Sequence, residues 1–255
     1  MIPKIVHYIW VGHTEKPDLV KKCIDSWRRF LPDYEIIEWN EDNYNVNKNN
    51  YLKKAYQEKK WAFVSDYMRF DILMNYGGIY VDTDVEFLKP LPDQFLSANC
   101  FTGMECGGRI APGLIFAAEA NNWLVKKLVE TYDNCQLDID FTETVNCRAM
   151  RILENYGYCK EDVFQNVNGV LIYPSSYFCG YDQDIREFDI RKNTISVHHY
   201  AGTWKKQKIK RLIQQMIKKV LGIEGYRRFL ALKKKLKIKI YWSRSNEKSE
   251  KDKNF

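Results

Sequence analysis

The chain is poor in glycine and proline, 13 and 7 residues of 255, which excludes collagen-like, low-complexity and linker-dominated architectures. It has no C-x-x-C pair. Its seven cysteines (Cys23, Cys100, Cys106, Cys135, Cys147, Cys159 and Cys179) are odd in number and widely scattered, a usage that argues against a disulfide framework or a zinc finger and suits reduced thiols in a cytosolic compartment. No run of about 18 apolar residues occurs, so a spanning helix is not expected, and the opening MIPKIVHYIWVG lacks the long apolar core of a signal peptide. The expectation is a cytoplasmic protein.

What is present is a folded, aromatic-rich chain: 45% hydrophobic and 15% aromatic residues, enough for a substantial core. The formal charge of +7 conceals an asymmetry. From Lys205 onward there are 18 Lys/Arg against 4 Asp/Glu, whereas residues 1–204 carry 22 against 29. An acidic body of 1–204 and a basic tail of 205–255 are therefore expected. Ile209, Leu212, Ile213, Met216, Ile217, Val220 and Leu221 form one apolar stripe at helical spacing in that tail. A basic amphipathic helix of this kind, with Tyr241 and Trp242 beyond it, suits an anionic membrane surface. Nothing resembling a nucleic-acid recognition motif accompanies the charge.

Along the body, Ile5–Val11 reads as a strand and the Pro17-led segment as a helix with Val20, Ile24, Trp27 and Leu31 on its apolar face. A second strand is expected at Tyr34–Trp39 and a helix near 51–60, an α/β beginning. In WAFVSDYMRFDILMNYGG, Phe63, Tyr67, Phe70 and Met74 recur at helical spacing, and Gly77 stands where a left-handed cap ends the helix. Ser65, Asp66 and Arg69 share a neighbouring face. Further strands are expected over 111–118, 170–173 and 194–200, and helices near 122–132 and 143–156.

The stretch GGIYVDTDVEFL follows. Asp82 and Asp84 end an apolar run, Ile79-Tyr80-Val81, and ligand sites of open α/β sheets lie beyond the carboxyl ends of such strands. Two aspartates at i and i+2 of an extended segment point to one side and can share a hard divalent cation. A D-x-D on its own is commonly a solvated turn; this context favours a metal site. A glycoside hydrolase using the pair as acid and base fits less well, because that chemistry needs carboxyl groups about 5–9.5 Å apart across the bond.

Taken together, IPKIVHYIWVG, AFVSDYMRFDILMNYGGIYVDTDVEFLKPL and HHYAGTW resemble, in order, the DXD-containing sugar transferases of glycosyltransferase family 32, and are similar to the catalytic domain of clostridial glucosylating toxins. The three segments span residues 2–204. The resemblance implies a single-domain GT-A fold, a nucleotide-diphosphate sugar donor, Mn²⁺ or Mg²⁺, and transfer with retention of anomeric configuration.

Carried over by position, it implies that Trp10 stacks on the base. Ser65, Asp66 and Arg69 would contact ribose, sugar or phosphate, Tyr80 and Asp82 would flank the donor, and Asp84 would be the most direct metal ligand. Trp204 would complete the donor site. Where the toxins carry a carboxylate five residues before that tryptophan, this chain has His199, favoured here over the adjacent His198 as third ligand. Gly202 stands where the toxins place a serine. No residue reads as a double-displacement nucleophile, so a front-side mechanism is expected. With the basic tail, the reading is a peripheral enzyme of the inner membrane face that extends a lipid-linked glycan in bacterial surface polysaccharide synthesis. Its donor is expected to be UDP-linked, with a GDP-mannose-dependent mannosyltransferase as the alternative. The alternative of another class is a non-catalytic, basic-tailed binding protein on the same scaffold.

Overall fold

A computed structural model describes residues 1–133, 141, 143–182 and 187–201, and scattered positions between 216 and 232. The chain divides into two compact units, residues 1–181 with 188–201, and residues 182–187 with 202–255.

The first unit opens with β1 (Ile5–Ile9), α1 (Asp18–Phe30) and β2 (Glu35–Trp39), then α2 (Asn50–Gln57) and α3 (Trp61–Tyr76). Pro17 stands at the N-cap of α1 and Asp18 in its first turn, both favourable where amide groups lack helical partners. Asn49 caps α2 by accepting from the Leu52 amide. Then come β3 (Gly78–Tyr80), β4 (Val85–Phe87), a 3₁₀ turn at Asp93–Ser97, β5 (Cys100–Glu105), β6 (Arg109–Ile110) and β7 (Phe116–Ala118). The remainder comprises α4 (Trp123–Asp133), α5 (Val145–Glu154), β8 (Gln165–Val167), β9 (Val170–Tyr173), α6 (Ser175–Phe178), β10 (Tyr181–Asp182), β11 (Glu187–Phe188) and β12 (Ser196–His198).

The main sheet has the order β2-β1-β3-β7-β5-β9-β8, with β6 paired on β5. β1 is parallel to β2 and β3, β7 is antiparallel to both β3 and β5, and β9 is parallel to β5. The carboxyl ends of β1, β2, β3, β5 and β9 therefore meet one edge. Both faces of the sheet are covered. Tyr80, Phe116, Ala118, Cys100 and Ile172 join the core under α2, α3, α4 and α5. Ile79, Ala117 and Phe101 point the other way, with Val20, Ile24 and Trp27 of α1 and Phe178 of α6. A sheet buried on both faces explains strands that read as unbroken apolar runs. The result is a mixed α/β fold.

Two sequence expectations are corrected. The stripe expected to bury α3 was Phe63, Tyr67, Phe70 and Met74, but Val64, Met68, Ile72 and Leu73 are buried as well, and Phe63 and Met74 only partly. The helix lies between β1 and β3 on one side and α2 and α4 on the other, so it buries most of its circumference. The strand expected over 111–118 is a loop followed by the short β7.

The expected tail lies almost wholly outside the described residues, as do Gly202 and Trp204. Met216, Val220 and Leu221, three members of its apolar stripe, are exposed. Among the described residues no helix is long and apolar enough to cross a membrane.

Candidate functional site

The site begins with the glycine pair after α3. Gly77 ends α3 at a positive φ of 64° but with ψ −165°, extended rather than the left-handed cap expected, and its amide donates to the Leu73 carbonyl. Gly78 also has a positive φ, 102°, and a Cβ there would lie 2.8 Å from His7 Nε2 and from the Ile5 carbonyl oxygen. The His7 ring fills that space. Its Nε2 donates to the Gly77 carbonyl at 2.8 Å, and Nδ1 accepts from Trp39 Nε1 at 3.1 Å. β3 is thereby set against β1, and its carboxyl end delivers Asp82.

Asp82-Thr83-Asp84 is a turn rather than the extended segment expected, closed by the Val85 amide donating to the Asp82 carbonyl at 3.1 Å. The two carboxylates come together because the chain folds between β3 and β4, not because a strand alternates. Asp82 lies against Gly113: its amide donates to the Gly113 carbonyl at 2.9 Å, and a Cβ on Gly113 would fall 2.0 Å from Asp82 Oδ2.

Asp84 is positioned by a second ribbon. β4 pairs antiparallel with β12 in the register Val197↔Glu86 and His198↔Val85. α1 braces β4 from behind, through Trp27 Nε1 to the Val85 carbonyl at 2.7 Å and the Phe87 amide to Ser26 Oγ at 3.0 Å. In this register His198 Nε2 reaches Asp84 Oδ1 at 2.8 Å, and the Ala201 amide donates to Asp84 Oδ2 at 2.9 Å. Burial opposes charge on both members of the pair. Their mutual attraction prevails, raising the His198 pKa and lowering that of Asp84, with the Ala201 amide helping.

One oxygen or nitrogen from each of Asp82, Asp84 and His198 lies within 4.8 Å of the others, the one such group of metal-ligating side chains among the described residues. Carboxylates suit hard divalent ions, and one imidazole extends the set to Mn²⁺-like ions. His198 Nδ1 is buried without a hydrogen-bond partner. His199, favoured from the sequence, lies elsewhere: its Nε2 is 2.8 Å from Glu86 Oε2, and Lys22 binds the same oxygen. The register explains the first contact: Val197 opposite Glu86 puts 197 and 199 on the Glu86 face and His198 on the other. Asp84 belongs to the turn before β4, outside the strand alternation, and there its carboxylate meets His198.

The helix residues converge on the same turn. Arg69 donates to the Ser65 carbonyl and hydroxyl at 2.9 and 3.0 Å and to Asp66 Oδ1 at 2.9 Å, and its Nη1 is 3.4 Å from Asp82 Oδ1. The guanidinium lies 4.6 Å from the Tyr80 ring centroid, and Tyr80 donates to Asp82 Oδ1 at 2.8 Å. Asp66 and Arg69 are therefore a buried pair, not a surface one. Burial pushes the Asp66 carboxyl up to about 6 against the pull of Arg69, with Asp82 adding to the rise. Arg69 Nη1 is buried and makes no hydrogen bond beyond that 3.4 Å ion pair with Asp82.

Trp10 follows the carboxyl end of β1, half-buried, with Nε1 donating to the Thr14 carbonyl at 2.7 Å. The sequence reading missed Gly113, whose only sign is a glycine after Pro112, equally explained by a turn. It also missed Glu105, Tyr200 and the buried Arg148 on α5, which bonds the Thr131 carbonyl and adds to the field on Asp66.

Comparison with known proteins gives a family match over residues 17–102, described as "Glycosyltransferase sugar-binding region containing DXD motif". An uncharacterized glycosyltransferase, L373, of Acanthamoeba polyphaga mimivirus is 34% identical over 107 residues, 40% of this chain and 42% of that protein. Inositol phosphoceramide mannosyltransferase 1 of Schizosaccharomyces pombe is 29% identical over 111 residues, 39% of this chain and 33% of that one. The chain thus matches less than half the length of these relatives. Among solved structures, PaToxG Glycosyltransferase aligns at 18% identity and a TM-score of 0.46, covering 61% of this chain and 72% of that chain; a likeness at that level carries no functional argument. The family match and the named relatives support the family-level resemblance.

Proposed function

We infer that this chain is a glycosyltransferase of the DXD-containing family 32 type, and propose that it moves a hexose or N-acetylhexosamine from a nucleotide-diphosphate sugar with the help of a divalent cation, on a GT-A scaffold, retaining the anomeric configuration. The observation that carries the reading is the grouping of Asp82, Asp84 and His198 at the carboxyl end of β3, beside the buried Arg69. Those three side chains would hold Mn²⁺ or Mg²⁺. When bound, the ion neutralises negative charge on the diphosphate that leaves with the nucleotide.

The chain's own residues then have separable tasks. Arg69, whose Nη1 makes no hydrogen bond and only an ion pair of 3.4 Å with Asp82, offers charge to the leaving diphosphate in a site where desolvation strengthens the interaction. Asp66 holds that guanidinium through a 2.9 Å bond. Tyr80 orients Asp82 through its hydroxyl, and Trp10 supplies a half-exposed ring for a base. The acceptor hydroxyl would be deprotonated by the departing phosphate in a front-side displacement.

We extend the proposal to a UDP-linked donor, a lipid-linked oligosaccharide acceptor of bacterial surface polysaccharide, and a peripheral position on the inner membrane face through residues 205–255. The basic composition of that segment supports the last point. Calorimetry with UDP- and GDP-sugars, with and without Mn²⁺, tests the core of the reading. Binding of one nucleotide that needs the ion and is lost in Asp84→Asn is expected; metal-independent binding, or an Asp84→Asn variant that behaves as wild type, overturns it.

A further inference from the structure

The geometry around Asp84 turns on a residue with no role so far. Tyr200 has a left-handed backbone, φ 47°, a conformation disfavoured for a bulky side chain and kept only where the surroundings over-determine it. Here they do. The Tyr200 hydroxyl donates to Glu105 Oε2 at 3.1 Å and lies 3.4 Å from Cys179 Sγ. Its ring packs on that of His198 with centroids 4.0 Å apart, and on Tyr181 at 5.4 Å. Glu105 is itself buried at the end of β5, with Arg109 Nε 2.9 Å from its other oxygen.

The turn at Tyr200 has a consequence for the candidate ligands. Three residues along a continued strand would separate positions 198 and 201 by about 10 Å and place them on opposite faces. Instead both reach one carboxylate, His198 Nε2 on Asp84 Oδ1 and the Ala201 amide on Asp84 Oδ2.

We propose that Tyr200 is a positioning residue for the metal site: its hydrogen bond to Glu105 locks the left-handed turn that holds Asp84 between His198 and Ala201, and so orients two of the three ligands. This rests on the reading of Asp82, Asp84 and His198 as ligands. Groups that orient ligands from outside the coordination sphere typically change metal affinity by about 10–100-fold when removed.

The test compares wild type with Tyr200→Phe and Glu105→Gln in the full chain, by titration with Mn²⁺ followed by electron paramagnetic resonance and by amide hydrogen exchange without metal. Tyr200→Phe, which keeps the ring and loses only the hydroxyl, should bind Mn²⁺ about tenfold more weakly and exchange the Ala201 amide faster, with an unchanged melting temperature. Glu105→Gln retains an acceptor oxygen for the tyrosine and should stay close to wild type. Unchanged Ala201 exchange in Tyr200→Phe overturns the proposal, as does unchanged Mn²⁺ affinity when the wild type binds the ion. A wild type that binds no Mn²⁺ refutes the metal reading, and the exchange measurement still decides for or against Tyr200. Should Tyr200→Phe fail to fold, Glu105→Ala is read in the same way.

Discussion

Asp82 owes its position to a residue without a side chain. Any Cβ at Gly113 would overlap the Asp82 carboxylate, so Gly113→Ala should push Asp82 out of the ligand group. The expected outcome is at least a tenfold loss of metal-dependent donor affinity by calorimetry, with a stability cost of about 1–3 kcal/mol from overpacking; wild-type donor binding would contradict the placement. The adjacent histidines separate in the same assay. His198→Ala should abolish metal-dependent binding, whereas His199→Ala, which frees only the partly exposed Glu86, should change it by no more than about threefold. Equal effects of the two substitutions would refute the register argument. The sequence presented both imidazoles and one expected ligand position; the choice between them belongs to the pairing of β4 with β12 and to the turn that carries Asp84, neither of which has a local signature.

At the scale of elements, β1 and β3 are joined by a side chain whose protonation state is fixed. His7 donates through Nε2 and accepts through Nδ1, so a second proton would oppose Trp39 Nε1–H. Burial is the larger cause of a pKa lowered to about 4, against the smaller opposite pull of the Gly77 carbonyl. Between that value and the ordinary one near 6.5, only the unfolded chain takes up the proton. The contribution of His7 to stability is therefore complete above pH 6.5 and declines as the pH falls toward 4, by on the order of 3 kcal/mol in all. In an NMR titration the His7 ring should stay neutral down to pH 5; a midpoint near 6.5 would remove the argument. Gly78→Ala attacks the same junction from the other side, combining a left-handed backbone with two contacts of 2.8 Å. It should cost about 2–4 kcal/mol in denaturant unfolding, and a cost below 1 kcal/mol would show that β1 and β3 can part without harm. The glycines were readable as a helix stop, yet the imidazole that Gly78 accommodates comes from 71 residues earlier and was not.

At the scale of the whole molecule, the sheet is covered on both faces and the edge carrying the candidate site gathers the ends of β1, β3 and β5, with the turn before β4 and strand β12 supplying Asp84 and His198 beside it. The 18 basic residues after Trp204 carry a prediction of their own. Removing residues 206–255 should release the protein from liposomes containing anionic lipid while leaving donor hydrolysis intact, since each Lys/Arg near such a surface contributes about 1 kcal/mol. Liposome binding that survives the truncation would show that the anchor lies elsewhere.

Most elements of the first half were readable in advance because their signals are local: a proline before α1, apolar spacing along α3, a glycine after it, and an unbroken apolar run in β3. β5, six residues buried on both faces, was missed because a short apolar run without periodicity is ambiguous. The sequence by itself determined that Asp82 and Asp84 follow a buried strand and that Asp66 and Arg69 share a helix face leading to them, since covalent spacing and helical period suffice for that. Only the tertiary structure decided that the pair is presented by a turn against Gly113, that His198 and not His199 approaches Asp84, and that Tyr200 and Glu105 hold it there. Each of those depends on the pairing of segments about 30 to 115 residues apart, and a slip of one residue in the β4–β12 register would exchange the two histidines.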